Sequence, residues 1–234
     1  MTNQHHNPKQ ALKKTRFIPG ALVSFFLLAF TLVVAGRIDY WQGWVYNTLN
    51  IIILAATMIV LADKPDLIEE RLKPGRGMKK WDKVYYAVST PLYLTALIVS
   101  AIDAGRYRWP PRVSTAVVIL GIVLYVLGQS LLLWAKSVNR FFSAVVRIQT
   151  DRSQTVCKDG PYRWVRHPGY ISGILFGLST PLVLGSYWGM IPAVFGNACL
   201  IIRTGLEDRL LRKELPGYEE YMREVRYRLI PGIW

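Results

Sequence analysis

Four stretches of this 234-residue chain contain no Asp, Glu, Lys or Arg and are each long enough to cross a membrane: Phe17 to Gly36, Gly43 to Ala62, Val84 to Ile102 and Val113 to Ala135. A hydrocarbon core takes roughly 20 helical residues, so each stretch reads as one spanning helix. A fifth uncharged stretch, Pro168 to Ile202, has 35 residues, too many for one helix inside the bilayer. Pro181 and the cluster Gly185-Ser186-Tyr187-Trp188-Gly189 mark a turn near its middle. It therefore reads as a hairpin of two short helices, the second continuing past Arg203 into the aqueous phase. The expected fold is an all-α polytopic integral membrane protein with about six transmembrane helices, or five, followed by an aqueous tail.

The charges set the orientation. Of the 29 Lys and Arg residues, 25 fall in the N-terminal tail, the loop Asp63 to Lys83, the segment Lys136 to Arg166 and the tail from Arg203, while Arg37, Arg106, Arg108 and Arg112 are left for the opposite loops. By the positive-inside rule both termini and the two long loops face the cytoplasm. For a prokaryotic chain that means the inner membrane. Trp41, Trp44, Trp81, Trp109, Trp134 and Trp188 fall at or near span ends, as interfacial belts require. The first apolar stretch follows Lys9, Lys13, Lys14 and Arg16 but is too long for a signal peptide, and Val34-Ala35-Gly36-Arg37 is a poor cleavage site; it reads as a retained helix.

Membrane-flanking loops also account for the net charge of +14. No basic helix face or interleaved aromatic platform accompanies that charge, so nucleic-acid binding is excluded. Cys157 and Cys199 have no C-x-x-C spacing and suggest neither a disulfide nor a metal site. The dinucleotide, phosphate-loop, zinc-protease and serine-hydrolase motifs are absent.

Polar chemistry concentrates in Asn139 to Tyr170 and Arg203 to Trp234, which the hairpin joins and holds together. The first stretch contains Gly160-Pro161-Tyr162-Arg163-Trp164-Val165-Arg166-His167-Pro168-Gly169-Tyr170, where His167 precedes a proline at the mouth of a span. Two readings are open. Arg166 and His167 are interfacial anchors with Pro168 an ordinary first-turn proline, or they and the exposed amides of the helix start hold the carboxylate of an amino-acid-like ligand, with Tyr162 and Tyr170 flanking a cationic group. In the second stretch Arg203 and Glu207 are i and i+4 neighbours on one face. Tyr218, Glu219, Glu220, Tyr221, Arg223, Glu224, Arg226, Tyr227 and Arg228 would by themselves form a solvated amphipathic helix.

Together these stretches resemble the isoprenylcysteine carboxyl methyltransferase family of integral membrane enzymes. The resemblance covers roughly Asn139 to Trp234. It rests on Gly-x-Tyr with Arg-His-Pro-x-Tyr over Gly160 to Tyr170, the hairpin, Arg-x-x-x-Glu at Arg203 and Glu207, and the tail pattern Tyr218, Tyr221, Arg223 and Pro231. The loop with Glu69-Glu70-Arg71-Leu72-Lys73-Pro74-Gly75 is similar to prokaryotic members.

The resemblance implies that residues 1–135 form a tail and four spans, and residues 136–234 a catalytic region binding S-adenosyl-L-methionine beneath the tail. A lipophilic small molecule or lipidated substrate would enter from the membrane lipids. By resemblance the cofactor-binding positions are Arg147, Gln154, Thr155, Val156, Cys157, Tyr162, His167, Pro168, Gly169, Tyr170 and Glu207. Gln154 stands where the eukaryotic pattern has histidine, and Arg147 where it has glutamine. Arg203 would orient the acceptor and, with Glu207, act in catalysis. A carboxylate is already ionised at neutral pH, so an arginine beside the acceptor suits carboxyl O-methylation.

Three other functions stay open. Phospholipid N-methylation would use a similar pocket. A sterol-type reductase would bind NADPH, with Arg147 and Arg152 as a basic cluster for its 2'-phosphate. A transporter or non-catalytic membrane protein predicts ionisable residues within the spans, and the four clean stretches contain none.

Overall fold

The computed structural model describes residues 30–64, 67 and 77–234. The stretch Phe17 to Gly36, apart from residues 30–36, of which 30–35 are helical, lies outside the described residues, as do the N-terminal basic cluster and residues 68–76 with the Glu69 to Gly75 motif.

Among the described residues the secondary structure is helical throughout. Helix α1 is Trp41–Leu61, α2 is Lys80–Ser100, α3 is Thr115–Val138, α4 is Pro168–Val183, α5 is Met190–Glu214 and α6 is Tyr218–Glu224. A π-helical turn, Ala101–Tyr107, prolongs α2. Three helices among the described residues are long and apolar enough to cross a membrane: Trp41–Leu61, Lys80–Tyr107 and Thr115–Val138. The second runs past the uncharged stretch at both ends and so carries Asp82 and Asp103, both buried, into the bundle. The expectation of spans free of ionisable residues is corrected there. Sequence charge marked the ends of the stretch, but helix geometry continues through a charge that finds a partner inside the protein.

The expected hairpin is formed. Pro168 starts α4, where its missing amide hydrogen costs nothing, and Gly185, at φ 77°, ends it. The carbonyls of Pro181 and Leu182 accept from Ser186 and Gly185 to close the helix end. Helix α4 has 16 residues, about 24 Å at 1.5 Å per residue and short of the core. Helix α5 runs on past Ile202 to Glu214, and Leu215-Pro216-Gly217 turns the chain into α6.

Packing follows small residues. Helix α3 packs most extensively on α4, where a Cβ added at Gly121 or Gly128 would come 2.7 Å from that of Leu182 or 2.9 Å from that of Leu175. Lipid tails are as apolar as side chains, so close backbone approach is what holds such helices together. Between α2 and α5, Tyr93 donates to Asn197 at 2.8 Å. Outward faces stay apolar, with Ile59, Leu127 and Ile202 exposed, and polar side chains such as Asn47, Ser100 and Asn197 turn inward. Two apolar cores result. One, around Tyr40, Tyr46 and Tyr125, lies toward the start of α3; the other, around Ala135, Tyr162, Leu215, Tyr218 and Tyr221, lies at its end.

Candidate active site

A cavity of about 290 Å3 opens at that second core, walled by the segment after α3, the start of α4, the outer half of α5 and α6. Of the residues singled out from the sequence, Gln154, Thr155, Val156, Cys157, Tyr162 and His167 line it. Gly169, Tyr170, Arg203 and Glu207 line it too. Two do not. Pro168 is buried as the first residue of α4, and Arg147 turns its guanidinium to Asp151 at 2.7 Å, away from the lining. An arginine that finds its partner one turn along the chain has no need of the cavity, so a cofactor contact at Arg147 finds no support in the geometry.

Local structure explains the wall. Gly160 takes φ 57° at the start of a 3-10 turn, and a Cβ there would meet Trp134 Nε1 at 2.9 Å. The turn sets Tyr162 inward, where Asn139 Nδ2 donates to its hydroxyl at 3.1 Å and Tyr221 Oη donates to its carbonyl at 2.7 Å. Gln149 N donates to the Gln154 side-chain carbonyl at 2.7 Å, holding that loop in shape. Burial pushes the Cys157 thiol up, so it remains protonated and forms an apolar wall rather than a nucleophile. Burial likewise raises the phenols of Tyr162, Tyr218 and Tyr221.

Asp208, 1% exposed, is the hub beneath the cavity. It accepts from Arg166 Nε at 2.9 Å, His167 Nε2 at 3.0 Å, Tyr218 Oη at 2.9 Å and Arg228 Nε at 2.7 Å. Burial alone would raise its carboxyl; hydrogen bonds from His167, Arg166 and Arg228 hold it well below the usual carboxylate range. Arg166 also donates to the carbonyls of Val225 and Arg226 at 2.8 and 2.6 Å, and the backbone amides of Arg166 and His167 donate to Tyr227 and Arg228. The tail is thereby tied over the start of α4. Arg166 and His167 are therefore buried in this cluster, not exposed anchors, and the Arg166 guanidinium and His167 Nε2 are engaged by Asp208 and tail carbonyls rather than left open for an anion.

Arg203 is the second surprise. Its Nε and Nη2 grip Asp82 at 2.7 and 3.3 Å, and Nη2 also donates to Ala144 O at 2.8 Å. Asp82 in turn accepts from Val146 N at 2.8 Å. The rings of Tyr85, Tyr86 and Tyr170 surround the guanidinium at 4.6, 5.1 and 5.3 Å. Glu207 bonds not to Arg203 but to the Tyr170 hydroxyl, and among the described residues no cation lies within 4 Å of it. The cavity thus presents, among aromatic faces, a carboxylate without a salt-bridge partner, held by the Tyr170 hydroxyl and near the Arg203 charge.

Asp82 and Asp208 were not legible as site residues. Asp82 lies 121 positions from Arg203, and nothing local marks it. Asp208 did leave a trace: Leu200, Thr204, Asp208 and Leu211 recur at spacings of 4, 4 and 3, which sets an acid on the inward stripe of α5. Asn139 and Tyr86, also in the lining, carried no such mark.

The sequence model of the phospholipid methyltransferase family matches residues 116–216, from the first turn of α3 to the turn after α5. The match takes in most of the cavity wall but less than half of the chain. No curated protein matches the chain.

Proposed function

We propose that this protein is a multi-pass membrane methyltransferase that transfers a methyl group from S-adenosyl-L-methionine to a lipophilic acceptor, with both termini and the cavity on the cytoplasmic side. The observation that carries the reading is Glu207, a carboxylate without a salt-bridge partner among the aromatic walls of the cavity. The cofactor is a sulfonium with an ammonium group, and those are the charges such a wall attracts. The match over residues 116–216 supports the same chemistry.

Bound there, the cofactor supplies a methyl already activated for in-line displacement. The chain's own residues then bind and align. Glu207 holds the cationic end, the aromatic rings of Tyr86, Phe141, Phe142 and Tyr170 exclude water, and the Asp208 cluster fixes the tail over the site. Alignment and a dry pocket strengthen each of these contacts. The reductase alternative draws nothing from this geometry: Arg147 binds Asp151, and Arg152 donates to Gln149 Oε1 at 2.7 Å and to Arg140 O at 2.9 Å.

For the acceptor we favour the amine of a phospholipid headgroup. Arg203 is already compensated by Asp82, so an incoming carboxylate would compete with a buried partner, whereas an amine, once its ammonium has given a proton to solvent, needs no such cation. The second reading, carboxyl O-methylation of an isoprenylcysteine-like substrate, is favoured by the position of Arg203 in the wall one turn toward the membrane from Glu207. The purified protein incubated with methyl-labelled cofactor and membrane lipid decides. Label in phosphatidylethanolamine that resists alkali supports the amine; label released by alkali as methanol supports the carboxylate. No lipid-soluble label, and no binding of S-adenosylhomocysteine, would overturn the methyltransferase reading.

A further inference from the structure

At the other end of the bundle, where α2 ends and α3 begins, lies a second cavity of about 230 Å3. Helix α3, 24 residues long, separates the two by about 36 Å. The basic residues that the charge pattern leaves on the sparsely charged face are Arg37, Arg106, Arg108 and Arg112, and all four converge here. Arg37, Arg108 and Arg112 line the cavity. Arg106 lies over Gly36, where an added Cβ would meet its Nη2 at 2.7 Å.

Their compensation is incomplete. Arg37 binds Asp39, Nε to Oδ1 at 2.7 Å. Asp103, the other acid in the lining, accepts from Ser186 Oγ at 2.6 Å and Trp109 N at 3.1 Å, so its oxygens face the protein. Among the described residues no carboxylate lies within 4 Å of the Arg108 or Arg112 guanidinium. Three arginines against two acids leave the lining net positive, with Arg106 beside it over Gly36.

The loop that carries them is built, not slack. Arg108 sits in the left-handed region at φ 54°, an unfavourable backbone for a residue with a side chain, at the end of the π-helical turn Ala101–Tyr107. Such turns recur at functional sites. Arg108 N donates to Asp103 O at 2.5 Å, Trp188 Nε1 donates to Pro110 O at 3.2 Å, and Tyr107 stacks on Trp109 at 5.7 Å. Trp41 and Trp109 line the cavity, and with Trp188 they mark headgroup depth.

We propose that this cavity binds the phosphate of an anionic phospholipid headgroup in the leaflet at this end of the bundle. Guanidinium forks grip phosphate oxygens two at a time, and the indoles beside them fit the glycerol and upper acyl region. A site of this kind would select the lipid surrounding the protein and stay independent of the reaction at the far end.

The full chain, purified in detergent and exchanged against vesicles of phosphatidylcholine with phosphatidylglycerol in equal amounts, is read by native mass spectrometry for retained lipid. The expected result is one retained phosphatidylglycerol in preference to phosphatidylcholine, with R108Q/R112Q lowering that preference about ten-fold or more, R108K/R112K recovering part and R163Q, at the other end, leaving it intact. A wild type without preference, or a double variant that keeps it, overturns the proposal whatever its effect on folding. Inorganic phosphate is the second probe. If it raises the melting temperature of lipid-free protein and displaces phosphatidylglycerol at millimolar concentration, the ligand is the free anion and the lipid assignment falls.

Discussion

Asp82 and Arg203 form a pair in which neither partner reaches bulk water, at 0% and 8% side-chain exposure. Taking charges out of water is expensive, and removing one partner leaves the other buried and uncompensated. Asp82→Asn should therefore lower stability by about 3–5 kcal/mol, read as a fall in the melting temperature of the detergent-solubilised protein, and Asp82→Asn with Arg203→Gln should recover part of it. If Arg203 instead serves chiefly to hold an acceptor, the single Asp82 variant will melt like wild type. Glu207→Gln keeps the Tyr170 contact and removes the charge. We expect it to weaken binding of S-adenosylhomocysteine about ten-fold, since a hydrogen bond to a charged group is worth roughly 1.5–3 kcal/mol; unchanged calorimetric titrations would sink the assignment of Glu207 to the cationic end.

Asp208 gives a pH test at the same scale. Its folded carboxyl lies below the unfolded value, so its contribution is complete above about pH 4, the ordinary range for Asp, and is lost as pH falls toward the depressed folded value. Wild-type melting temperature should drop through acid pH. Asp208→Asn should flatten that drop while lowering the melting temperature at pH 7, because Arg166 and Arg228 lose their common partner. The sequence named His167, Tyr162 and Glu207, the residues whose types and spacing repeat a recognisable pattern. It could not name Asp82 or Asp208, whose importance lies only in which cations fold onto them.

At the scale of elements, α3 and α4 are held by missing side chains. A Cβ at Gly121 would lie 2.8 Å from the backbone nitrogen of Val183, whereas at Gly128 the nearest atom is the Leu175 Cβ at 2.9 Å. Backbone yields less than a side chain, so Gly121→Ala should destabilise more than Gly128→Ala, within the roughly 1–3 kcal/mol of overpacked cores. Equal melting temperatures for the two would show that α4 shifts as a body. The helices and the hairpin turn were readable from hydropathy and from Pro168 and Gly185, which act on the backbone where they stand, whereas Pro181, expected at the turn, lies inside α4. The length of α2 was not, because Asp82 and Asp103 are tolerated through partners such as Arg203 and Ser186 that lie far along the chain.

For the whole molecule, the charge distribution predicts that the two cavities face opposite sides of the membrane. In a variant with Cys157 and Cys199 replaced by serine, a cysteine at Pro111 should react with an impermeant reagent in intact cells, and one at Arg163 only after permeabilisation. The reverse pattern would invert the orientation. By itself the sequence determined that the chain is helical and apolar on its outer faces, with its polar chemistry gathered in Asn139 to Tyr170 and Arg203 to Trp234, since uncharged length, backbone-breaking residues and net loop charge are local or additive properties. Only the tertiary structure decided which charges remain available: it turned Arg203 to Asp82, Arg166 and His167 to Asp208, left Glu207 without a salt bridge, and drew three scattered arginines around one pocket. Ion pairing in a buried site is a choice of partner over distance, and the energy of that choice depends on burial and geometry that no spacing along a chain records.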